Sequence, residues 1–128
     1  MTQEDKQLLL IDLCGRLPYG VIVDYKENEF ETPHWKITTI YPKTLDGWIG
    51  YDKRVGAGSE SGSRPFKIGE VKPYLRPMSS MTEEEVKEED NTVMKFLQDF
   101  YNSHHLDYRG LIEKGLALEA PEGMYETE

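Results

Sequence analysis

Four side chains of this chain are grouped in the way of metal ligands or acid–base catalysts: His104 and His105, flanked by Asp99 and Asp107. Adjacent residues on a helix point about 100° apart, so two neighbouring imidazoles do not readily reach one ion. A histidine near a helix end also serves the negative end of the helix dipole. No metal is expected here. Cys14 is the single cysteine, which excludes an internal disulfide framework. It falls on the apolar stripe of a helix, where a thiol acts as packing. A dyad of Cys14 with His34, His104 or His105 is the enzymatic alternative. The chain contains no G-x-S-x-G, P-loop or H-E-x-x-H pattern. Gly56-Ala57-Gly58 with Gly62 lacks the Gly-Lys-Ser/Thr ending of a phosphate loop. The carboxylates of residues 83–90 read as a solvated helix face, because acid–base work needs a perturbed pair in a cleft. No cofactor is expected.

The stronger candidate is a basic, ring-bearing stretch. Residues 53–76 carry Lys53, Arg54, Arg64, Lys67, Lys72 and Arg76 against Glu60 and Glu70, a net charge of +4. Trp48, Tyr51, Phe66 and Tyr74 are interleaved with them. Arginine and aromatic side chains are frequent anchors of protein interfaces. The same pairing of cations and stacking platforms serves single-stranded nucleic acid. Trp48, Tyr51, Lys53, Arg54, Arg64 and Lys67 are therefore the candidate partner-binding residues. A protein partner is the first expectation and single-stranded nucleic acid the alternative.

The elements that must carry these residues can be read from pattern. A length of 128 residues predicts one domain with one core. Residues 3–14 read as a helix capped by Thr2, with Leu10, Leu13, Cys14 and Leu17 as its buried stripe and Gly15 as its stop. Alternation over residues 21–25, 35–40, 48–51 and 66–71 predicts short strands. Asp46-Gly47 suits a tight hairpin or the end of a looser loop over 42–47. The Gly/Ser-rich residues 52–65 read as a mobile surface loop. Pro73 and Pro77 place residues 70–78 at a sheet edge or in a crossing segment. Met81-Thr82-Glu83-Glu84-Glu85-Val86 has the form of a capping box with a hydrophobic staple, opening a helix over about 83–102. Asp107 is expected to cap a further short helix ending at Gly115.

The whole is α+β. A small, curved, barrel-like antiparallel sheet of four or five short strands is flanked by an N-terminal helix and a C-terminal helical segment. Residues 1–81 hold the first helix and the sheet, and residues 82–128 the acidic helical part. Short strands rich in glycine resemble small barrels of the Tudor type in shape, which carries no function.

Charge follows the same division. Residues 1–76 hold 11 basic and 11 acidic side chains, and residues 77–128 hold 4 and 13, so the net −9 belongs to the C-terminal part. Mean hydropathy is −0.65. The longest apolar run, Leu8-Leu9-Leu10-Ile11, is far short of the roughly 18 residues that span a bilayer. No basic, then apolar, leader pattern opens the chain, so a cytoplasmic location is expected.

Three segments carry a resemblance. They are Leu13-Cys14-Gly15-Arg16-Leu17-Pro18-Tyr19-Gly20-Val21, the stretch Glu70-Val71-Lys72-Pro73-Tyr74-Leu75-Arg76-Pro77-Met78-Ser79-Ser80-Met81-Thr82, and Asp107-Tyr108-Arg109-Gly110-Leu111-Ile112 running on to Ala120-Pro121-Glu122-Gly123-Met124-Tyr125. Each resembles a hallmark of a group of small proteins of gut bacteria and their phages or mobile elements, to which no activity is attached. Residues 24–66 look individual. The resemblance implies a bacterial or phage accessory protein, and with the residues it predicts a binding module rather than an enzyme.

Overall fold

A computed structural model describes residues 1–25, 35–55 and 58–125, with 52–55 and 58–61 described as backbone only. Helix α1 (Gln3–Arg16) is followed by strands β1 (Ile22–Tyr25), β2 (Trp35–Tyr41), β3 (Asp46–Val55), β4 (Gly58–Lys67) and β5 (Val71–Leu75). Helices α2 (Glu83–Asp90) and α3 (Leu97–Ser103) and a two-residue strand β6 (Leu118–Glu119) complete the chain. The architecture is α+β, as the pattern predicts. The sheet has six strands in the order β4-β3-β2-β1-β5-β6, and it is open rather than closed into a barrel. All neighbours are antiparallel except β5 and β6.

Thr2 caps α1: its hydroxyl accepts from Asp5 N at 3.0 Å, and Asp5 answers to Thr2 N. The helix is rotated by one residue from the predicted stripe. Leu9, Asp12, Leu13 and Arg16 are all fully buried, an i, i+3, i+4, i+7 face, while Cys14 and Ile11 are exposed. The reason is Asp12, whose carboxylate accepts from Arg16 Nε at 2.7 Å and Nη2 at 3.2 Å. Paired in this way the two charges occupy core positions that a pattern of apolar residues leaves out. Gly15 does not stop the helix. A Cβ there would lie 2.8 Å from Asn102 Nδ2, so its lack of a side chain lets α3 approach α1. The left-handed stop comes at Gly20 (φ 71), after one 3-10 turn.

Two predicted boundaries move in the sheet. The Gly/Ser-rich stretch continues the β3–β4 ladder, with pairs running from Asp46–Lys67 out to Val55–Gly58. A backbone ladder needs no apolar alternation, so this ribbon leaves little trace in hydropathy. Pro73 sits in β5, inside the sheet and not at its edge. It pairs with Val23 of β1, and β6 begins only at Tyr74 on the other side, so no ladder there needs its missing N–H.

The predicted second helix is broken. Asn91 Nδ2 donates to Lys87 O at 3.0 Å and Thr92 Oγ1 to Glu88 O at 2.6 Å, side-chain bonds that compete with continuing helix. Val93 is extended (φ −62, ψ 138), and a 3-10 turn over Met94–Phe96 leads into α3. Likewise residues 107–114 form turns instead of a helix. Asp107 still caps them, accepting from Leu111 N at 2.8 Å and Ile112 N at 3.0 Å. Gly115 N to Ile112 O and Leu116 N to Leu111 O close the last turn.

The core lies on one side of the sheet, where Val23, Tyr25, Trp35, Ile37, Ile49, Phe66 and Val71 meet Leu9, Leu10 and Leu13 of α1. Asp12→Ala removes the partner of a fully buried arginine. We expect a loss of about 3–5 kcal/mol in urea unfolding, against a smaller loss for the apolar pair Asp12→Val with Arg16→Met, which has nearly the same summed volume.

Candidate functional site

Cross-strand partners share a face, so the register sorts the candidates. Ile37–Ile49–Arg64 and Ile40–Gly47–Phe66 form rows on the core side. Thr39–Trp48–Pro65 and Tyr41–Asp46–Lys67 form rows on the opposite, outer side. The irregularity between Ile37 and Thr39 restores this alternation after an extra residue in β2. Trp48 is 40% exposed and Tyr41 49% exposed. Lys36, Lys67 and Lys72 are exposed on this side as well.

The six sequence candidates thus separate. Trp48 and Lys67 stand together on the outer face. Tyr51 and Arg64 face the core side: Tyr51 meets Trp35 edge-on at 4.8 Å, and the Arg64 guanidinium lies 4.6 Å from the Tyr25 ring. The backbone of Lys53 and Arg54 continues the β3–β4 ribbon, and their side chains lie outside the described residues.

Two recesses adjoin the C-terminal turn 121–125. One, of about 790 Å³, is a groove on the outer face between Lys36, Thr38, Gly50, Ser63 and Met124. The other, of about 1000 Å³, is lined by Tyr19, Arg76, Glu85, His104, His105 and Tyr125. The turn between them is held by Tyr125, whose hydroxyl donates to Tyr74 O at 2.6 Å and accepts from Ile22 N at 2.9 Å. Burial pushes the Tyr125 hydroxyl up to about 12, so it stays a neutral donor. The His105 ring stacks on Tyr125 with centroids 3.6 Å apart.

In the second recess Arg76 grips Glu85 with both terminal nitrogens, at 2.8 Å and 2.7 Å. Glu85 also closes the capping box of α2, accepting from Thr82 N at 2.9 Å. His104 Nδ1 stands 2.9 Å from its second oxygen. The hydrogen bonds from Arg76 above all bring the Glu85 carboxyl down to about 2. Such a carboxylate, fully engaged, orders the chain around it and is a weak base. Of the predicted metal-like cluster, His104 goes to Glu85 and Glu88, and Asp107 turns away to cap the following turns. Among the described residues no three His, Cys, Asp or Glu side chains converge as a metal site. Cys14 lies exposed on α1, and partial burial pushes its thiol up, opposite to the shift of an activated nucleophile. His34 lies outside the described residues.

No family model, curated protein or solved structure matches the chain. Residues 13–21, 70–82 and 107–125 come together in space. Tyr125 reaches Tyr74, Ala120 N donates to Leu75 O, Asp107 N donates to Arg76 O, and Arg109 donates to Asp12 one residue before the first segment. They build the frame, which borders the outer face of β2–β4 at the groove beside Met124.

Sequence reasoning passed over Glu85 as a site-forming residue, although its capping box was legible. It also missed Tyr125, which only the fold brings to β1. His105 gives a pH prediction. Burial first, then the cations Arg16 and Arg76, lower its pKa from 6.5 to about 4. The unfolded chain therefore binds more protons between those values. The stability this group contributes is present above pH 6.5 and is lost as pH falls towards 4, on the order of 3 kcal/mol. His105→Asn, which tolerates the positive φ of 59, should flatten the pH 6.5–4 limb of urea unfolding midpoints.

Proposed function

We propose that this chain is a binding module without a catalytic role, and that it docks a partner protein on the outer face of β2, β3 and β4. The observation that supports this most is Trp48. It is one of two tryptophans, and it stands exposed on β3, one strand in from the β4 edge of a sheet whose other face already holds the core. Tyr41, Pro65 and Thr39 surround it in register, with Lys36 and Lys67 at the margins. An aromatic anchor within a polar rim is the arrangement of an interface centre. The groove beside Lys36 and Met124 extends that face and suits an extended segment of the partner.

The likeness of the frame segments to small proteins of gut bacteria and phages supports an accessory role in such a cell. A cytoplasmic place fits the lone, exposed and unpaired thiol. Among the described residues no helix is long and apolar enough to cross a membrane.

The lysines beside Trp48 also suit single-stranded nucleic acid, which stacks on exposed rings. The net charge of −9 opposes it, because phosphate contacts dominate that affinity.

Trp48→Ala should leave the chain folded at a cost of about 1–2 kcal/mol, since part of the ring is covered by its cross-strand neighbours. It should also abolish the set of proteins co-purified from the native host with the wild-type chain. Ile11→Ala, on exposed α1, should leave that set intact. Retention of the same proteins by the Trp48 variant, or its global unfolding, would remove the docking face. Oligonucleotide quenching of Trp48 fluorescence at about 50 mM salt should be absent, and salt-sensitive quenching would transfer the face to nucleic acid.

A further inference from the structure

A second surface lies on the acidic part, away from the sheet. Of the nine large hydrophobic side chains that stand exposed among the described residues, four fall within residues 86–96: Val86 at 40%, Val93 at 61%, Met94 at 83% and Phe96 at 50%. The helical spacing of Val86, Val93 and Met94, with Leu97, Phe100 and Tyr101, predicts burial on one stripe of a long helix. The Asn91–Thr92 break instead turns Val93, Met94 and Phe96 out on a single 3-10 turn. The turn is firmly built, with Phe96 N donating to Val93 O at 2.8 Å directly after the hydrogen-bonded end of α2. A surface fixed in advance loses little entropy when it is covered. An exposed methionine beside an aromatic ring adapts to varied apolar side chains.

The charge around the turn restricts what can cover it. Residues 83–99 hold seven carboxylates against Lys87 and Lys95. Arg76 engages one of the seven, Glu85, while Glu83, Glu84, Glu88, Asp90 and Asp99 are exposed. The Lys95 ammonium lies 5.0 Å from the centre of the Phe96 ring, a contact that an incoming lysine or arginine could replace. A second copy of this chain would bring a like-charged surface, and an anionic lipid headgroup would be repelled. We infer that the Val93–Phe96 turn and the adjoining face of α2 form a docking site for a basic, amphipathic polypeptide segment, whose apolar side chains cover Met94 and Phe96 while its lysines and arginines meet the carboxylates. This site is independent of the Trp48 face.

The probe is a synthetic peptide of about eighteen residues with leucine and lysine at helical spacing, followed by fluorescence anisotropy on the full chain at about 150 mM salt. Binding should weaken at least about tenfold in the Met94→Ser, Phe96→Ser double variant. These changes leave every charge in place, and far-UV circular dichroism should be unaltered. An all-lysine peptide of equal length should bind the wild-type chain at least about tenfold more weakly than the leucine/lysine peptide. Equal affinity of the double variant would show that charge alone attracts the peptide and would overturn the site, as would no binding by the wild-type chain. Concentration-dependent self-association of the wild-type chain, lost in the double variant, would assign the patch to a second copy and overturn the inference equally.

Discussion

The constraint on which this structure depends is the buried Asp12–Arg16 pair. Both residues are wholly removed from solvent on the inner face of α1. An ion pair so placed needs most of its remaining hydrogen-bonding capacity met by other groups. The C-terminal segment supplies partners for both residues, and only Arg16 Nη1 is buried without one. Arg16 Nη2 donates to Leu106 O at 2.7 Å, and Arg109 Nε donates to Asp12 Oδ1 at 3.1 Å. The guanidinium groups of Arg16 and Arg109 lie 5.5 Å and 4.8 Å from the Tyr108 ring. Tyr108 stacks on Tyr101 at 5.2 Å, and the Tyr101 hydroxyl donates to Glu89 of α2 at 2.7 Å. One chain of contacts therefore runs from α1 through the last third of the molecule to α2.

That chain of contacts decides which surfaces are left over. It seats the segment after α3 against α1 and the end of β5, where Asp107 N and Arg76 O, and Arg76 N and His105 O, bond reciprocally. Continuing from there, β6 joins β5 and Tyr125 closes over Ile22 and Tyr74. The outer face is covered at Ile22 of β1 and Tyr74 of β5 and stays open at β2, β3 and β4. With α3 held against α1 at Gly15 and Asn102, the acidic helix α2 and the turn after it remain on the periphery. The two proposed docking faces are thus separated by a common frame.

Local signals carried far in this sequence. Both capping boxes, the alternation of β1 and β2, and the α+β class follow from neighbouring residues alone. The failures have distinct physical causes. The apolar stripe Leu10, Leu13, Cys14 and Leu17 leaves out Asp12 and Arg16 because their compensation comes from Leu106 and Arg109, about ninety residues away. The β3–β4 ribbon was hidden because glycine and serine pair through backbone without a hydropathy period. Val93 and Met94 read as core because helix periodicity was extended across the Asn91–Thr92 side-chain bonds that end α2. Half of the Trp48 neighbourhood was legible: composition marked the stretch, whereas only the register separates Trp48 and Lys67 from Tyr51 and Arg64.

The central claim is that the buried pair on α1 anchors the C-terminal frame. Native-state hydrogen exchange of the Arg16→Met variant tests it most directly, since methionine fills the space but offers Leu106 no donor. The amides of Asp107, Leu111, Ile112 and Ala120 should lose protection by about tenfold or more relative to those paired between β2 and β3. Equal loss across the sheet and the C-terminal segment, or no loss in either, would contradict it.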